Sequence, residues 1–124
     1  MPMCKILLSI NPQHVDNILN GNKKFEFRKV RCKDDVDKIV IYATSPMMCV
    51  VGEADVLQVI EDRLDVVWEI TSAHAGISKQ FFDQYYQGKN RAVVYRLGKV
   101  KKYKNPLQLF DFGINYAPQS FIYI

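Results

Sequence analysis

The sequence predicts a mixed α+β domain built on a small, mostly antiparallel sheet or barrel, with two to three helices inserted between the strands. Three observations carry that prediction. About six short segments have the apolar or alternating pattern of strands. Helical spacing is confined to short stretches between them. Several connections are too short for the crossover that a parallel βαβ unit requires, which excludes regular α/β winding. The chain of 124 residues suits one domain, taken as 1–124, and is long enough to bury a core without disulfides or metal.

Lys5–Ile10 is a short apolar run and predicts the first strand. Asn11 offers an N-cap, Pro12 the first helical position, and Val15, Ile18 and Leu19 one apolar stripe, so Pro12–Asn20 is a helix. Gly21 closes it as the residue after the C-cap. Lys24–Lys29 alternates, with Phe25 and Phe27 on one face and Lys24, Glu26 and Arg28 on the other. Lys38–Thr44 is apolar and β-branched, and ends at Ser45-Pro46. Met48–Ile60 is a long strand bent at Gly52. Leu64, Val67 and Trp68 have helical spacing. Ser78 caps a further helix with Phe81, Phe82 and Tyr85 as its buried stripe, Tyr86 facing outward and Gly88 as its stop; the aromatic run also admits base stacking, but its helical spacing favours core packing. Arg91–Tyr103 alternates as a strand, Leu107–Phe112 fits no single pattern, and Phe121–Ile124 predicts a final strand.

Composition narrows the function classes. Apolar runs such as Ile6–Leu8 and Ile39–Ala43 fall far short of the ~20 residues that span a bilayer. The N-terminal MPMCKILLSI is too short for a secretory segment, so the expected location is cytoplasmic, with no membrane partner. Cys4, Cys32 and Cys49 lack the spacing of a zinc site, and no metal or cofactor is expected. Cys4 and Cys49 lie beside apolar residues and behave as small hydrophobes. Cys32 lies among cations that would lower its pKa, but a catalytic thiol needs a base, and only His14 and His74 are available. His14 is expected at the surface beside the apolar stripe, and His74 in the loop between the later helices. No GxGxxG, P-loop, HExxH, acidic calcium loop or nucleophile elbow is present.

The net charge of +4 is compatible with nucleic acid without identifying it. Its distribution says more. Six Lys/Arg fall between Lys23 and Lys33, four more between Lys99 and Lys104, and none in Asn105–Ile124. The Lys99–Lys104 run suits phosphate contacts or a solvated strand end equally well. GNKKFEFRK, residues 21–29, holds the first cluster. Its polar face is read either as a charged outer surface or as the wall of a cleft. In the second reading Glu26 accepts hydrogen bonds from a base or a sugar hydroxyl, or holds Arg28 in orientation. Arg28 engages a phosphate or guanine, and Lys23 reaches across from the helix–strand junction.

The segment ILLSINPQHVDNILNGNKKFEFRK resembles the opening of the activating-signal-cointegrator homology (ASCH) family. Such domains begin with an apolar strand, a proline-started helix ending Ile-Leu-x-Gly, and then Gly-x-Lys-x-x-Glu-x-Arg. The last motif is matched by Gly21, Lys23, Glu26 and Arg28. The similarity continues through AGISKQFFDQYYQGKNRAVVYRL to YAPQSFIYI and so covers nearly the whole chain. It implies a PUA-like β-barrel that binds RNA or a nucleotide-like small molecule in a cleft beside the first helix. Lys23, Glu26 and Arg28 would be the leading contacts, bordered by Ser9 and Asn11 and, from the terminal segment, by Gln119 and Ser120. One branch of the family resembles an amidohydrolase acting on acetylated cytidine through a Lys, a Thr and a Glu. The Lys matches Lys23, the Thr position is Glu26, and the His74–Ser78 region that would supply the acid contains none. Other relatives are linked to ribonuclease activity. The resemblance therefore implies an RNA- or nucleotide-binding domain, with a hydrolase acting on a modified nucleoside or RNA phosphodiester through Lys23 and Glu26 as the alternative. A protein-interaction module in transcriptional control would instead use uncharged exposed patches.

Overall fold

A computed structural model describes residues 4–32 and 36–124. Lys33, the last cation of the first cluster, lies outside the described residues. Six strands form one curled, half-barrel sheet: β1 (Lys5–Ile10), β2 (Phe25–Arg28), β3 (Lys38–Ala43), β4 (Cys49–Arg63), β5 (Arg91–Leu107) and β6 (Phe121–Tyr123). Their spatial order is β2-β5-β4-β3-β1-β6. Among the described residues, only β1 and β3 run parallel; every other pairing is antiparallel, as the short connections require. Register shifts flank Gly52, where β4 bends against β5.

Helix α1 (Pro12–Leu19) forms as the sequence dictates. Asn11 Oδ1 accepts from Gln13 N–H at 3.0 Å, Pro12 opens the helix, and Gly21 follows the C-cap with φ +85°. Val15 and Ile18 pack from α1 into the concave face of the sheet, against Ile6, Leu8, Ile39, Ile41 and Tyr95. Helices α2 (Leu64–Thr71) and α3 (Lys79–Tyr85) cover another part of the sheet, where Val67, Phe82 and Tyr86 meet Phe25, Phe27 and Val94. Leu7, Val40, Tyr42, Val50 and Ile114 make a third cluster. Both faces of β1 and β3 are thus buried, which explains their continuous apolar runs. Each fully buried Leu or Ile contributes roughly 1.5–3 kcal/mol. The segment Leu107–Phe112 resolves into the end of β5 and a 3₁₀ turn over Leu109–Phe112, stopped by Gly113 at φ +73°. No helix among the described residues is long and apolar enough to cross a membrane.

The phase of α3 differs from the sequence expectation. Ser78 does cap it, accepting from Phe81 N–H at 3.1 Å. The residues turned inward are Phe82 and Tyr86, each 1% exposed, while Phe81 is 42% exposed and Tyr85 half-buried. Positions 81/85 and 82/86 are both i, i+4 pairs, so spacing alone permits either face to point inward. Tertiary contacts choose: Phe82 meets Phe27 at 5.6 Å and Trp68 at 5.0 Å between ring centroids. The Tyr86 hydroxyl donates to the Arg28 carbonyl at 2.8 Å.

Cys32 also departs from expectation. It is buried, 2.8 Å from the Tyr95 hydroxyl, and burial pushes its thiol pKa up despite Arg28 and Arg31 nearby. A reactive thiolate is disfavoured there.

Candidate functional site

Between the start of α1, strand β2 and the outer face of α3 lies a cavity of about 270 Å³. Its floor comes from the 21–29 segment. The helix stop at Gly21 turns the chain so that Lys23 N–H donates to the Asn17 carbonyl at 2.9 Å, which aims the Lys23 side chain inward. Lys23 is 3% exposed. Its ammonium donates to the Ala75 carbonyl at 2.9 Å and stands 4.7 Å from the Phe27 ring centroid. Burial lowers its pKa, and the charge of Glu26 only partly offsets that. The flexible cation expected at the junction is a held one.

Glu26 is 5% exposed, so the charged-outer-face reading of β2 fails. Alternation does turn Glu26 and Arg28 away from Phe25 and Phe27, but the side they face is covered by other parts of the chain. Arg28 Nη1 meets Glu26 Oε2 at 3.2 Å, and Nη2 donates to Ser120 Oγ at 2.8 Å. A longer contact of 3.5 Å joins Nη1 to the Ser9 carbonyl.

Ser9 and Asn11 line the cavity with Lys23, Glu26 and Arg28. Ser9 Oγ donates to the Pro118 carbonyl at 2.6 Å, and Ser9 N–H to the Ser120 carbonyl at 3.1 Å. The terminal segment is thereby fastened beside Arg28. Ser120 reaches the site through Arg28, whereas Gln119 is exposed and outside the lining. His74 is exposed; its carbonyl accepts from Lys24 N–H at 3.0 Å, and its side chain is not in the lining.

The remaining walls include α3 aromatics for which helical spacing favoured core packing over base stacking. Phe81 and Tyr85 form one, with Ile77 beside them, and Gln13 and His14 form part of another. His14 is half-buried rather than at the surface, with its ring edge-on to Phe81 at 5.3 Å. Its Nδ1 is buried with no hydrogen-bond partner. Burial and the charge of Lys23 lower its pKa, so the ring is neutral near pH 7. The signal was present: His14 and Ile18 are i, i+4 and share a helix face. With His14 neutral and Glu26 paired to Arg28, the floor carries a net charge of about +1. It can take one anionic group alongside a flat or apolar one. Among the described residues, no His, Cys, Asp or Glu cluster has a metal-binding arrangement.

Comparison with known proteins places the chain. A family model described as "Domain of unknown function (DUF365)" matches residues 5–115. Two proteins of Ureaplasma parvum each match over 120 residues, 96% of this chain. One is named ATP synthase subunit alpha (30% identical) and the other large ribosomal subunit protein uL22 (31% identical). The chain spans only 15% and 39% of those two relatives. A protein of Zymomonas mobilis named "ASCH domain-containing ribonuclease" is 26% identical over 115 residues, covering 90% of this chain and 78% of the relative. The crystal structure of ASCH from Zymomonas mobilis superposes with a TM-score of 0.88 at 24% identity, over 97% of this chain and 87% of the other. The Gly21, Lys23, Glu26 and Arg28 motif, the half-barrel and these matches agree: the chain belongs to the DUF365 family and is an ASCH domain with the PUA-like α+β fold.

Proposed function

We propose that this chain is a single domain that binds RNA or a nucleotide-like ligand in the cleft beside α1. The observation that carries the reading is the burial of Lys23 and Glu26, with Arg28 partly buried beside them, on one cavity floor. Groups placed for solubility stay in water. Taking charges out of water costs several kcal/mol per ion before compensation, so a buried, net-positive floor open to a cavity points to an anionic ligand. Lys23 and Arg28 neutralise a phosphate, and Glu26 accepts from a base or ribose. Asn11, Gln13 and Ser9 supply neutral polar edges. The name of the Zymomonas mobilis relative supports RNA as the ligand class. Matches to parts of two differently named longer proteins support a module that works in more than one setting. The dispersed cysteines and lack of a long apolar run favour a cytoplasmic location.

The test is filter binding of short single-stranded RNAs across a salt series. Affinity falls with salt, with a log–log slope of roughly −0.7 per neutralised phosphate. Lys23→Ala weakens binding and makes the slope shallower. Salt-insensitive binding, or binding indifferent to Lys23, sinks the proposal.

A second reading, a hydrolase, is favoured by the lowered pKa of Lys23 beside a carboxylate and by the relative's ribonuclease name. Glu26 would take a proton from the attacking hydroxyl or water, and Lys23 would stabilise the developing negative charge. Labelled RNA and acetylcytidine, each incubated with wild type and Lys23→Ala, separate the readings. Turnover lost in the variant supports an enzyme; turnover equal in both means that this cleft is not its source.

A further inference from the structure

The two aromatic pairs of α3 do different work. Phe82 and Tyr86 pack the helix onto the sheet. Phe81 and Tyr85 line the cleft, and packing does not account for the first of them, since Phe81 remains 42% exposed. Their rings lie within 10° of parallel with centroids 6.3 Å apart, and both line the cleft as one aromatic wall. His14 meets Phe81 edge to face, and the Lys29 ammonium lies over the Tyr85 ring, 4.6 Å from its centroid, which leaves Phe81 as the more open face. The cavity of about 270 Å³ lies just below the usual small-molecule range, which suits one base with its sugar and excludes a duplex edge.

We infer that this wall is a stacking platform for a single unstacked nucleobase, supplied by a free nucleotide or by single-stranded RNA. The inference rests on the reading of the cleft as a nucleotide site. Each part then has a task. Phe81 and Tyr85 take the face of the base, which is sequence-tolerant because every base has one. Glu26 meets its polar edge, and Lys23 and Arg28 take phosphate charge. A paired base cannot enter, because its polar edge and both faces are already occupied.

The experiment uses 2-aminopurine, whose fluorescence is quenched by stacking, as a riboside 5′-monophosphate and within a single-stranded hexaribonucleotide. Ribose 5-phosphate is the competitor lacking a base. Wild type quenches at least one probe, and ribose 5-phosphate competes weakly. Phe81→Leu and Tyr85→Leu each weaken binding roughly 5- to 100-fold. Phe81→Trp retains quenching, a rescue that a purely structural role would not give. Equal quenching of both probes assigns a free nucleotide, and preference for the hexamer assigns single-stranded RNA; either supports the platform. The hexamer annealed to its complement is not quenched further. If folded Phe81→Leu and Tyr85→Leu bind and quench like wild type, or ribose 5-phosphate competes as well as the nucleotide, the platform is overturned. Quenching that depends on Phe81 but not on Lys23 keeps the platform and overturns the cationic floor. Failure of every probe to bind overturns both.

Discussion

Gly76 sets the position of the Lys23 ammonium, and Gly76→Ala tests that link. Gly76 has φ +70°, and a methyl group there would lie 2.5 Å from Lys23 Cβ, 2.6 Å from Cγ and 3.1 Å from Cα. Carbon atoms prefer about 3.5–4.0 Å, so the Lys23 stem or the 75–77 backbone must move by roughly 1 Å. Holding Ala in the left-handed region costs about 1–2 kcal/mol, and stiffening the unfolded chain returns about 0.4–1. Overpacking adds about 1–3 kcal/mol. Gly88 is the control: its φ is +81°, yet nothing lies within 4 Å of the added carbon, so Gly88→Ala meets only the backbone part. At roughly 3–5 °C per kcal/mol for a domain of this size, Gly88→Ala lowers Tm by a few degrees. Gly76→Ala lowers it by roughly 6–15 °C. Because the Lys23–Ala75 hydrogen bond runs through the moved segment, Gly76→Ala also weakens ligand binding, by roughly 10- to 100-fold if a charge-assisted contact is lost. Combining it with Lys23→Ala adds little further, since both remove the same contact. Thermal unfolding and filter binding on the four variants decide the matter. A Gly76→Ala protein that melts with Gly88→Ala and binds like wild type would falsify the link.

Three further outcomes follow from the same contacts. His14 has a folded pKa below its ordinary 6.5, so the unfolded state takes up the proton first as pH falls. Its contribution to stability is present above about pH 6.5 and is lost on acidification through the folded pKa, and urea midpoints at pH 7.5 and pH 5 fall together less in His14→Gln than in wild type. Tyr86→Phe leaves the Arg28 carbonyl without the donor that reaches it at 2.8 Å, and denaturant unfolding shows a loss of about 1–3 kcal/mol. Lys23→Met removes an amine whose folded pKa lies below 10.5. Since the unfolded state binds more protons between those two values, wild-type stability gains on the variant as pH rises through that window.

The helix starts and stops were legible because they are local. Asn11-Pro12, Gly21 and Ser78 each act within three residues of where they sit, and each has the predicted role. The strands were legible because both faces of β1 and β3 are covered, which leaves unbroken apolar runs. The floor of the cleft was not. KKFEFRK alternates like a half-exposed strand, and only Ser9 and Ser120, the latter 92 residues from Arg28 in sequence, show that the second face is closed as well. The face of α3 was illegible for a related reason. Two equivalent i, i+4 aromatic pairs lie side by side, and only Phe27 and Trp68, on other elements, select Phe82 for the core. Gly76 shows no local sign of its role, because the atoms it must accommodate belong to Lys23.

The two cations of the motif are not equivalent, and that difference separates binding from bracing. Arg28 is tied to Glu26, Ser9 and Ser120, so it joins β2 to β1 and to the terminal segment. Among the described residues, the Lys23 ammonium contacts a carbonyl and an aromatic face, and burial outweighs the charge of Glu26 in setting its pKa. Removing Arg28 strands a buried carboxylate and removes one tie to the terminal segment, and breaking such a pair costs about 3 kcal/mol or more. Removing the Lys23 charge relieves a desolvation penalty while leaving the Ala75 carbonyl short of a donor, two effects of similar size and opposite sign. Arg28→Met therefore lowers both stability and affinity, whereas Lys23→Met lowers affinity with stability near wild type at pH 7. Unfolding and RNA titrations on the two variants test this division. Equal stability losses would mean that Lys23 is a structural cation, and the anionic ligand would then have to be sought at Arg28 and Lys29.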